Sequence, residues 1–169
     1  MTIRYFDVAK AIEAIVYISR STTDLFHIMK ILYYADLYHL QAYGRLITGD
    51  YYIAMNNGPV PSGSYDLIKV VRGDGFAIKD ASPEKAFAVE GRMKVTPLRA
   101  PDMSIFSESD VECLDKSIAA HAHMSFAELR RKAHEEKPFQ QATPDDDISF
   151  ESIVGSLPNA AEVLEYLNG

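Results

Sequence analysis

Asp36 and His39 are the pair of residues whose types and spacing come nearest to a catalytic arrangement. They lie three positions apart, so on a helix their side chains would be neighbours. Aspartate beside histidine is the orienting half of many catalytic triads, and His134 is the further residue that an enzyme would recruit. The sequence has no G-x-S-x-G, H-E-x-x-H or P-loop motif. We therefore favour a buried polar pair that locks helix packing, and we predict no enzymatic activity.

His121 and His123 would share a face, and could ligate one metal ion, only in an extended segment. They fall between two predicted helices without a third ligand nearby in sequence. We interpret them as structural or exposed side chains, and we expect neither a metal nor a cofactor. The single cysteine, Cys113, lies on a predicted amphipathic helix, where a buried structural thiol is favoured over a nucleophile.

The composition is that of one globular domain spanning residues 1–169. Hydrophobic residues make up 47% of the chain and charged residues 24%, which predicts a sizeable core. The 17 basic and 24 acidic residues give a net charge of −7, which argues against nonspecific nucleic-acid binding. No apolar run approaches the roughly 20 residues of a membrane span. With no signal-like segment at residues 1–10, we predict a cytoplasmic protein.

The elements that must position these side chains are mostly helices. Asp7 caps a first helix that ends near residues 19–21, and Thr23 or Asp24 caps the longest helix, which stops at Gly44. That second helix is apolar over much of its girth, so it should be the central one. Further helices are predicted at about residues 62–72, from Ser107, from Ser125 to about Glu136 before Pro138, and at about residues 159–167.

Short extended segments account for the remaining regular structure, and residues 140–147 read as a polar loop. These segments are Tyr51–Met55, Phe76–Lys79, Phe87–Glu90 and Arg92–Leu98, with the tip of a hairpin at Glu90-Gly91. The predicted fold is therefore mainly α (α+β). It is a compact bundle of about six helices around a long central helix, with a small antiparallel hairpin or meander.

The turn at residues 56–61, NNGPVP, is the most rigid local feature of the sequence. Gly58 permits backbone conformations that other residues resist, while Pro59 and Pro61 fix φ near −65°. Pro61 suits the first turn of the next helix. We interpret this turn as a connector that sets the angle of the 62–72 helix and so positions Tyr65 and Asp66.

Tyrosine is abundant on and around the central helix, where it has two interpretations. The residues concerned are Tyr33, Tyr34, Tyr38, Tyr43, Tyr51, Tyr52 and Tyr65. Tyrosine suits binding interfaces because it joins a large apolar ring to a hydroxyl. The same residues could instead pack the core with their hydroxyls at its rim.

The helix at 62–72 followed by a hairpin near 76–98 has the order of a winged-helix DNA reader. The basic residues that would contact DNA are Lys69, Arg72, Lys85, Arg92, Lys94 and Arg99. This is a modest basic cluster in an acidic protein, so a DNA-binding regulator is kept as an alternative function.

Residues 30–69 resemble the signature of the Panacea-domain family, the SocA-like antitoxins. The matching positions are Lys30, Tyr33, Tyr34 and Asp36 in the segment KILYYAD, the turn 44–49, Gly58-Pro59-Val60, and Tyr65-Asp66. Residues 129–139, LRRKAHEEKPF, resemble a second family segment through His134 and Pro138. Ala133, Phe139 and Leu46 depart from the usual Thr, Trp and Pro, which bears on partner specificity rather than on the fold.

The resemblance implies an antitoxin that binds a partner toxin directly and holds it inactive. It further implies that the neighbouring gene encodes the toxin and that the pair is often carried by phages. An adaptor that presents its partner to a protease is a second alternative, and the sequence leaves the oligomeric state open. The candidate motif or partner-binding residues are Lys30, Tyr33, Tyr34, Asp36, His39, Gly58, Pro59, Val60, Tyr65, Asp66, His134 and Pro138.

Overall fold

The computed structural model describes residues 4–169, so residues 1–3 of the predicted domain lie outside the described residues. Its helices are α1 (Val8–Ser19), α2 (Leu25–Tyr43), α3 (Ser62–Arg72), α4 (Glu108–His121), α5 (Phe126–His134), α6 (Lys137–Gln141), α7 (Phe150–Gly155) and α8 (Ala160–Asn168). Its strands are β1 (Tyr52–Met55), β2 (Gly58–Pro61), β3 (Phe87–Glu90), β4 (Lys94–Pro97) and β5 (Asp147–Ile148). The mainly helical fold with a small antiparallel part is confirmed.

Helix α2 is the central element, as its apolar girth predicts. The carboxylate of Asp24 accepts a hydrogen bond from the His27 amide at its start, and Gly44 ends it at φ 74°. Helices α1, α4, α5 and α8 and strand β2 all contact it. Its apolar side chains belong to two core clusters, one shared with α1, α3 and α4 and the other with α5, α7 and β1.

The remaining helix starts follow the capping signals of the sequence. Asp7 caps α1, and complete capping boxes open α4 and α5, formed by Ser107 with Asp110 and by Ser125 with Glu128. Cys113 lies buried on α4, as predicted. Among residues 4–169, no helix is long and apolar enough to cross a membrane.

The strands form two separate antiparallel sheets. One has the order β2-β1-β5, and in it Asn56 and Asn57 make the turn between Met55 and Gly58. The other is the β3–β4 hairpin, whose tip at Glu90-Gly91 was predicted. Strand β2 leads directly into α3, so the first sheet fixes where that helix begins.

Several sequence predictions are wrong in detail. Residues 58–61 form a strand, so Pro61 precedes α3 instead of lying in its first turn. Phe76–Lys79 is not a strand, and α6 and β5 interrupt the loop predicted at 140–147. Pro138 follows the end of α5 but also lies in the first turn of α6. The described chain has eight helices, namely the six predicted ones and the short α6 and α7.

Candidate protein-binding site

Lys30 is buried where α2 meets strand β2. Its Nζ donates a hydrogen bond of 2.8 Å to the carbonyl of Pro59 and lies 5.0 Å from the ring centroid of Phe26. Burial lowers the pKa of Lys30 to about 7. Within residues 4–169 no carboxylate forms a salt bridge with it, so the lysine supports the β2 backbone instead of balancing an acid.

Gly58 lets β2 approach both α2 and α5. Its φ is 116°, and a Cβ atom added there would lie 2.8 Å from the Cβ of Ala133 and 3.2 Å from Cε of Lys30. A side chain at this position therefore meets both an unfavourable backbone conformation and a clash. The small Ala133, where threonine is usual in the segment that 129–139 resembles, forms the other side of this contact.

Helix α5 also holds the tip of the β1–β2 hairpin. Nε2 of His134 lies 2.9 Å from the carbonyl oxygen of Asn56, and Nε of Arg130 donates to Oδ1 of Asn57 at 2.9 Å. The ring of His134 packs against Phe139 with a centroid distance of 4.8 Å. The two segments of the resemblance, far apart in sequence, therefore meet at this hairpin.

Asp36 and His39 are buried, but they do not pair with each other. Oδ1 of Asp36 accepts a hydrogen bond from the amide of Ile47 at 2.7 Å, and Oδ2 accepts one from the hydroxyl of Tyr52 at 2.5 Å. Burial raises the pKa of Asp36 to about 7, although these two bonds oppose the shift. Both residues are buried polar groups that lock packing, as predicted, but the predicted pairing of the two is wrong.

His39 holds the turn at residues 44–49 from the end of α2. Its Nδ1 donates to the carbonyl of Arg45 at 2.8 Å, and its Nε2 lies 2.9 Å from Oγ of Ser109. Burial lowers the pKa of His39, which favours the neutral ring. Together with the Asp36–Ile47 bond, this contact fixes the turn at two points.

Asp50 is a buried polar residue that the sequence interpretation missed. It accepts hydrogen bonds from the amides of Tyr51, Gly63 and Ser64 at 2.8, 2.7 and 2.9 Å, and from the Ser64 hydroxyl at 2.7 Å. It thus caps the N-terminus of α3 from outside the helix. The sequence did offer one signal. Pro61, at the N-cap position of α3, has no side-chain acceptor, so another residue must supply the cap.

Tyr33 and Tyr34 belong to the core instead of to a surface. The Tyr33 ring lies 5.1 Å from the rings of Tyr34 and Tyr52, and the buried hydroxyls of Tyr33 and Tyr34 have no hydrogen-bond partner within residues 4–169. Tyr34 stacks on His121 at 4.4 Å, and Nζ of Lys132 lies 4.4 Å from its ring centroid. The packing interpretation of these two tyrosines is the correct one.

His121 is structural and His123 is exposed, as expected. Nδ1 of His121 donates to the carbonyl of Ser117, and its Nε2 accepts from Nζ of Lys132, both at 2.7 Å. Burial and the charge of Lys132 lower the pKa of His121 to about 4, so the ring is neutral. Residues 4–169 contain no group of three or more metal-binding side chains.

The other candidate residues lie between buried and exposed. Val60 and Pro138 are buried, Tyr65 is half-buried with its hydroxyl accepting from Arg72 at 3.1 Å, and Asp66 is exposed. Most of the candidate set therefore builds a framework that a partner could not touch. An enzyme using Asp36, His39 and His134 gains no support, because two of them are enclosed and the third holds the hairpin tip.

Five of the six basic residues of the proposed DNA-reading surface are paired with acids, and Lys85 is the sixth. The ion pairs are Lys69–Asp66 at 3.9 Å, Arg72–Asp74 at 2.8 Å, Arg92–Asp74 at 3.9 Å, Lys94–Glu90 at 3.5 Å and Arg99–Glu13 at 2.6 Å. DNA binding depends on cations that are free to neutralise phosphates. The geometry therefore does not favour the winged-helix alternative.

An open groove lies beside the turn 44–49, and we call it the tyrosine groove. One part, of about 640 Å³, is lined by that turn and by Arg4, Tyr5, Phe150 and Tyr166. A second part, of about 180 Å³, runs between the end of α2 and α8 and shares Gly44 and Tyr166 with the first. Tyr5 is 80% exposed and Tyr166 is 70% exposed. Neither tyrosine stands out in the sequence, because the groove walls come from both ends of the chain.

A family model described as "Antitoxin SocA-like, Panacea domain" matches residues 28–140, more than half of the chain. The chain belongs to this family. Comparisons with curated proteins and with solved structures give no match. All the candidate residues from Lys30 to Pro138 lie inside the matched range. Three residues that line the groove of this Panacea-domain protein, Tyr5, Phe150 and Tyr166, lie outside the matched range.

Proposed function

We propose that the protein is an antitoxin that neutralises a partner toxin by direct protein–protein binding. The observation that carries the proposal is the family match over residues 28–140. The expected partner is the product of the neighbouring gene, and we expect the two to act in the cytoplasm and to be encoded on a phage or another mobile element.

The arrangement of the buried polar residues supports a binding protein more than an enzyme. Asp36, His39 and Asp50 are enclosed and hydrogen-bonded to backbone groups that shape the turn 44–49 and α3. Groups held in this way stabilise a scaffold, because their donors and acceptors are already satisfied. The surface instead offers exposed tyrosines, which are frequent anchors of protein interfaces.

Co-expression with the neighbouring gene tests this function. We expect the neighbour alone to arrest growth, and the wild-type chain to restore growth and to co-purify with the neighbour's product. A neighbour that is harmless alone, or the absence of a complex, counts against an antitoxin. Rescue that disappears in a host lacking its cytoplasmic proteases would instead identify an adaptor that delivers the toxin for degradation.

A further inference from the structure

The negative charge of the protein is concentrated in its last 35 residues. Residues 135–169 contain eight acidic residues against one basic residue, a net charge of −7, whereas residues 1–134 contain sixteen of each. The acidic residues are Glu135, Glu136, Asp145, Asp146, Asp147, Glu151, Glu162 and Glu165. The charge of the whole chain is therefore that of α6, α7, α8 and the segments joining them.

These carboxylates are not neutralised within the protein. All of them except Glu136 are exposed, and across residues 4–169 none of the eight forms a salt bridge. The surface near α3 and β4 shows the opposite arrangement, since its basic residues are paired with acids. The net negative charge of this molecule thus comes from residues 135–169.

The tyrosine groove borders this acidic segment along α8. Glu162 lines the narrower part of the groove, and Glu165 precedes the exposed Tyr166 on the same helix. The hydroxyl of Tyr43, a ring that is 43% exposed, donates to Glu112 at 2.7 Å on the other wall. Aromatic rings beside free carboxylates are the chemistry that binds lysine and arginine side chains.

Of the two arginines of the groove, Arg45 is paired with a carboxylate and Arg4 lies between aromatic rings. Nη2 of Arg45 lies 3.0 Å from the buried Asp110, and its Nη1 donates to the carbonyl of Leu46. The guanidinium of Arg4 lies 4.3 Å from the ring centroid of Phe150 and 4.8 Å from that of Tyr51. The exposed carboxylates of Asp7 and Glu162 line the groove without a salt bridge, and Glu165, also exposed and unpaired, adjoins Tyr166, whereas Arg4 is the one lining cation without a carboxylate partner among residues 4–169.

We propose that the tyrosine groove docks a basic segment of the partner toxin, so this inference rests on the proposed antitoxin function. Lysine or arginine side chains of the segment lie against Tyr5, Tyr43 and Tyr166, and the carboxylates of Glu162 and Glu165 neutralise them. A volume of about 640 Å³ accommodates a few side chains. A second copy of this chain is disfavoured as occupant, because it would bring the same negative charge to the groove.

The first test replaces the exposed rings. We expect Tyr5→Ala and Tyr166→Ala each to weaken binding to the neighbouring gene's product by about ten-fold or more, as for aromatic anchors in other interfaces. Phe76→Ala is the control, because Phe76 is 94% exposed and follows the far end of α3, a helix of 11 residues and roughly 16 Å. Unchanged affinity in both tyrosine variants, with thermal unfolding as in the wild type, overturns the proposal.

The second test separates local contacts from overall charge. Glu162→Lys with Glu165→Lys changes the net charge as much as the control pair Glu84→Lys with Glu135→Lys, whose residues are exposed and do not line the groove. We expect the α8 pair to weaken binding about ten-fold or more at about 150 mM salt, and the control pair to change it less than three-fold. Equal losses would mean long-range attraction only and would overturn a local docking site.

The behaviour of the wild type distinguishes the two proposals. If the wild type neither neutralises nor binds the neighbour's product, the antitoxin function fails and this inference fails with it. If the wild type binds and the groove variants bind equally well, only the docking site is wrong. Self-association of the wild type that Tyr166→Ala abolishes would make a second copy the occupant and would also overturn the proposal.

Discussion

The two halves of α2 bury polar groups in different ways. In the first half, Lys30 has one hydrogen bond, and the hydroxyls of Tyr33 and Tyr34 have none within residues 4–169. In the second half, Asp36 accepts two hydrogen bonds and His39 has two partners. Just beyond the helix, Asp50 accepts four.

This difference indicates which buried groups specify the structure. Removing one partner of a satisfied buried pair leaves the other without a bond, which costs more than the pair's net contribution. Replacing a buried charge that has few partners by an apolar side chain of similar size is often neutral or stabilising. The second half of α2 together with Asp50, which we call the aspartate end, should therefore be sensitive to substitution of its polar residues. The first half around Lys30, which we call the lysine end, should be sensitive chiefly to steric change.

The largest expected effect is at Asp50. Asp50→Ala leaves the amides of Gly63 and Ser64 without an acceptor at the start of α3, so we expect the free energy of unfolding to fall by about 3 kcal/mol. Asp50→Asn, which keeps one acceptor, should lose about half as much. Urea denaturation at pH 7 measures both.

Asp66→Ala is the matched control on the same helix, because Asp66 is exposed. It should change stability by less than about 0.5 kcal/mol. A loss at Asp50 no larger than this would show that the hydrogen bonds of the aspartate end do not determine the position of α3.

The Gly58→Ala substitution tests whether the lysine end is sensitive to steric change. Gly58→Ala puts a methyl group 2.8 Å from Cβ of Ala133 at φ 116°, so we expect a loss of about 2 to 3 kcal/mol. Gly91→Ala is the control, since its φ is 60° and no atom lies within 4 Å of the added carbon. It should lose about 1 kcal/mol from backbone strain alone. Similar losses at both glycines, in thermal or urea unfolding, would remove the clash from the explanation.

Elements with local signals were predictable from the sequence. Asp7, Ser107 and Ser125 mark helix starts through their own side chains, and Gly44 marks an end, so α1, α2, α4 and α5 begin or end as predicted. Strand β2 was missed because proline argues against a central strand. It is an edge strand, in which the missing amides at alternate positions are tolerated.

The binding site was less predictable, because it depends on contacts between distant parts of the chain. Asp50 bonds to Gly63 and Ser64, and nothing local marks it as a cap. Tyr5 and Tyr166 come together only through the packing of α8 on the end of α2. The motif residues were visible in the sequence because they define the scaffold. The groove could not be predicted, because its residues come together only when the chain is folded.

The smallest effects should appear as opposite pH dependences of the two halves. Asp36 has a pKa near 7 in the folded protein and 3.8 as a free side chain, so the folded state holds an extra proton between these values. Asp36 therefore contributes a fall of stability as the pH rises from about 4 to 7. Lys30 has a pKa near 7 against 10.5, so the unfolded chain holds the extra proton above pH 7 and stability should rise.

These two contributions have opposite signs. His121, with a pKa of about 4 against 6.5, and His39, whose pKa is also lowered, contribute a rise of stability across part of the range in which Asp36 contributes a fall. Each contribution is therefore read as the difference between the pH profiles of the variant and the wild type.

Relative to the wild type, the stability of Lys30→Met should rise by about 2 kcal/mol less between pH 7 and 9, and that of Asp36→Asn should rise by about 1 to 2 kcal/mol more between pH 5 and 7. Urea denaturation at pH 5, 7 and 9 measures both differences. Lys69→Met and Asp66→Asn on α3 are the controls, because Lys69 is partly exposed and Asp66 is exposed. Both controls should keep the pH profile of stability of the wild type. A Lys30→Met protein that still gains stability above pH 7 would assign the rise to another group. The comparison between the halves would then rest on hydrogen bonding alone, since the charge of Lys30 would have no measurable cost.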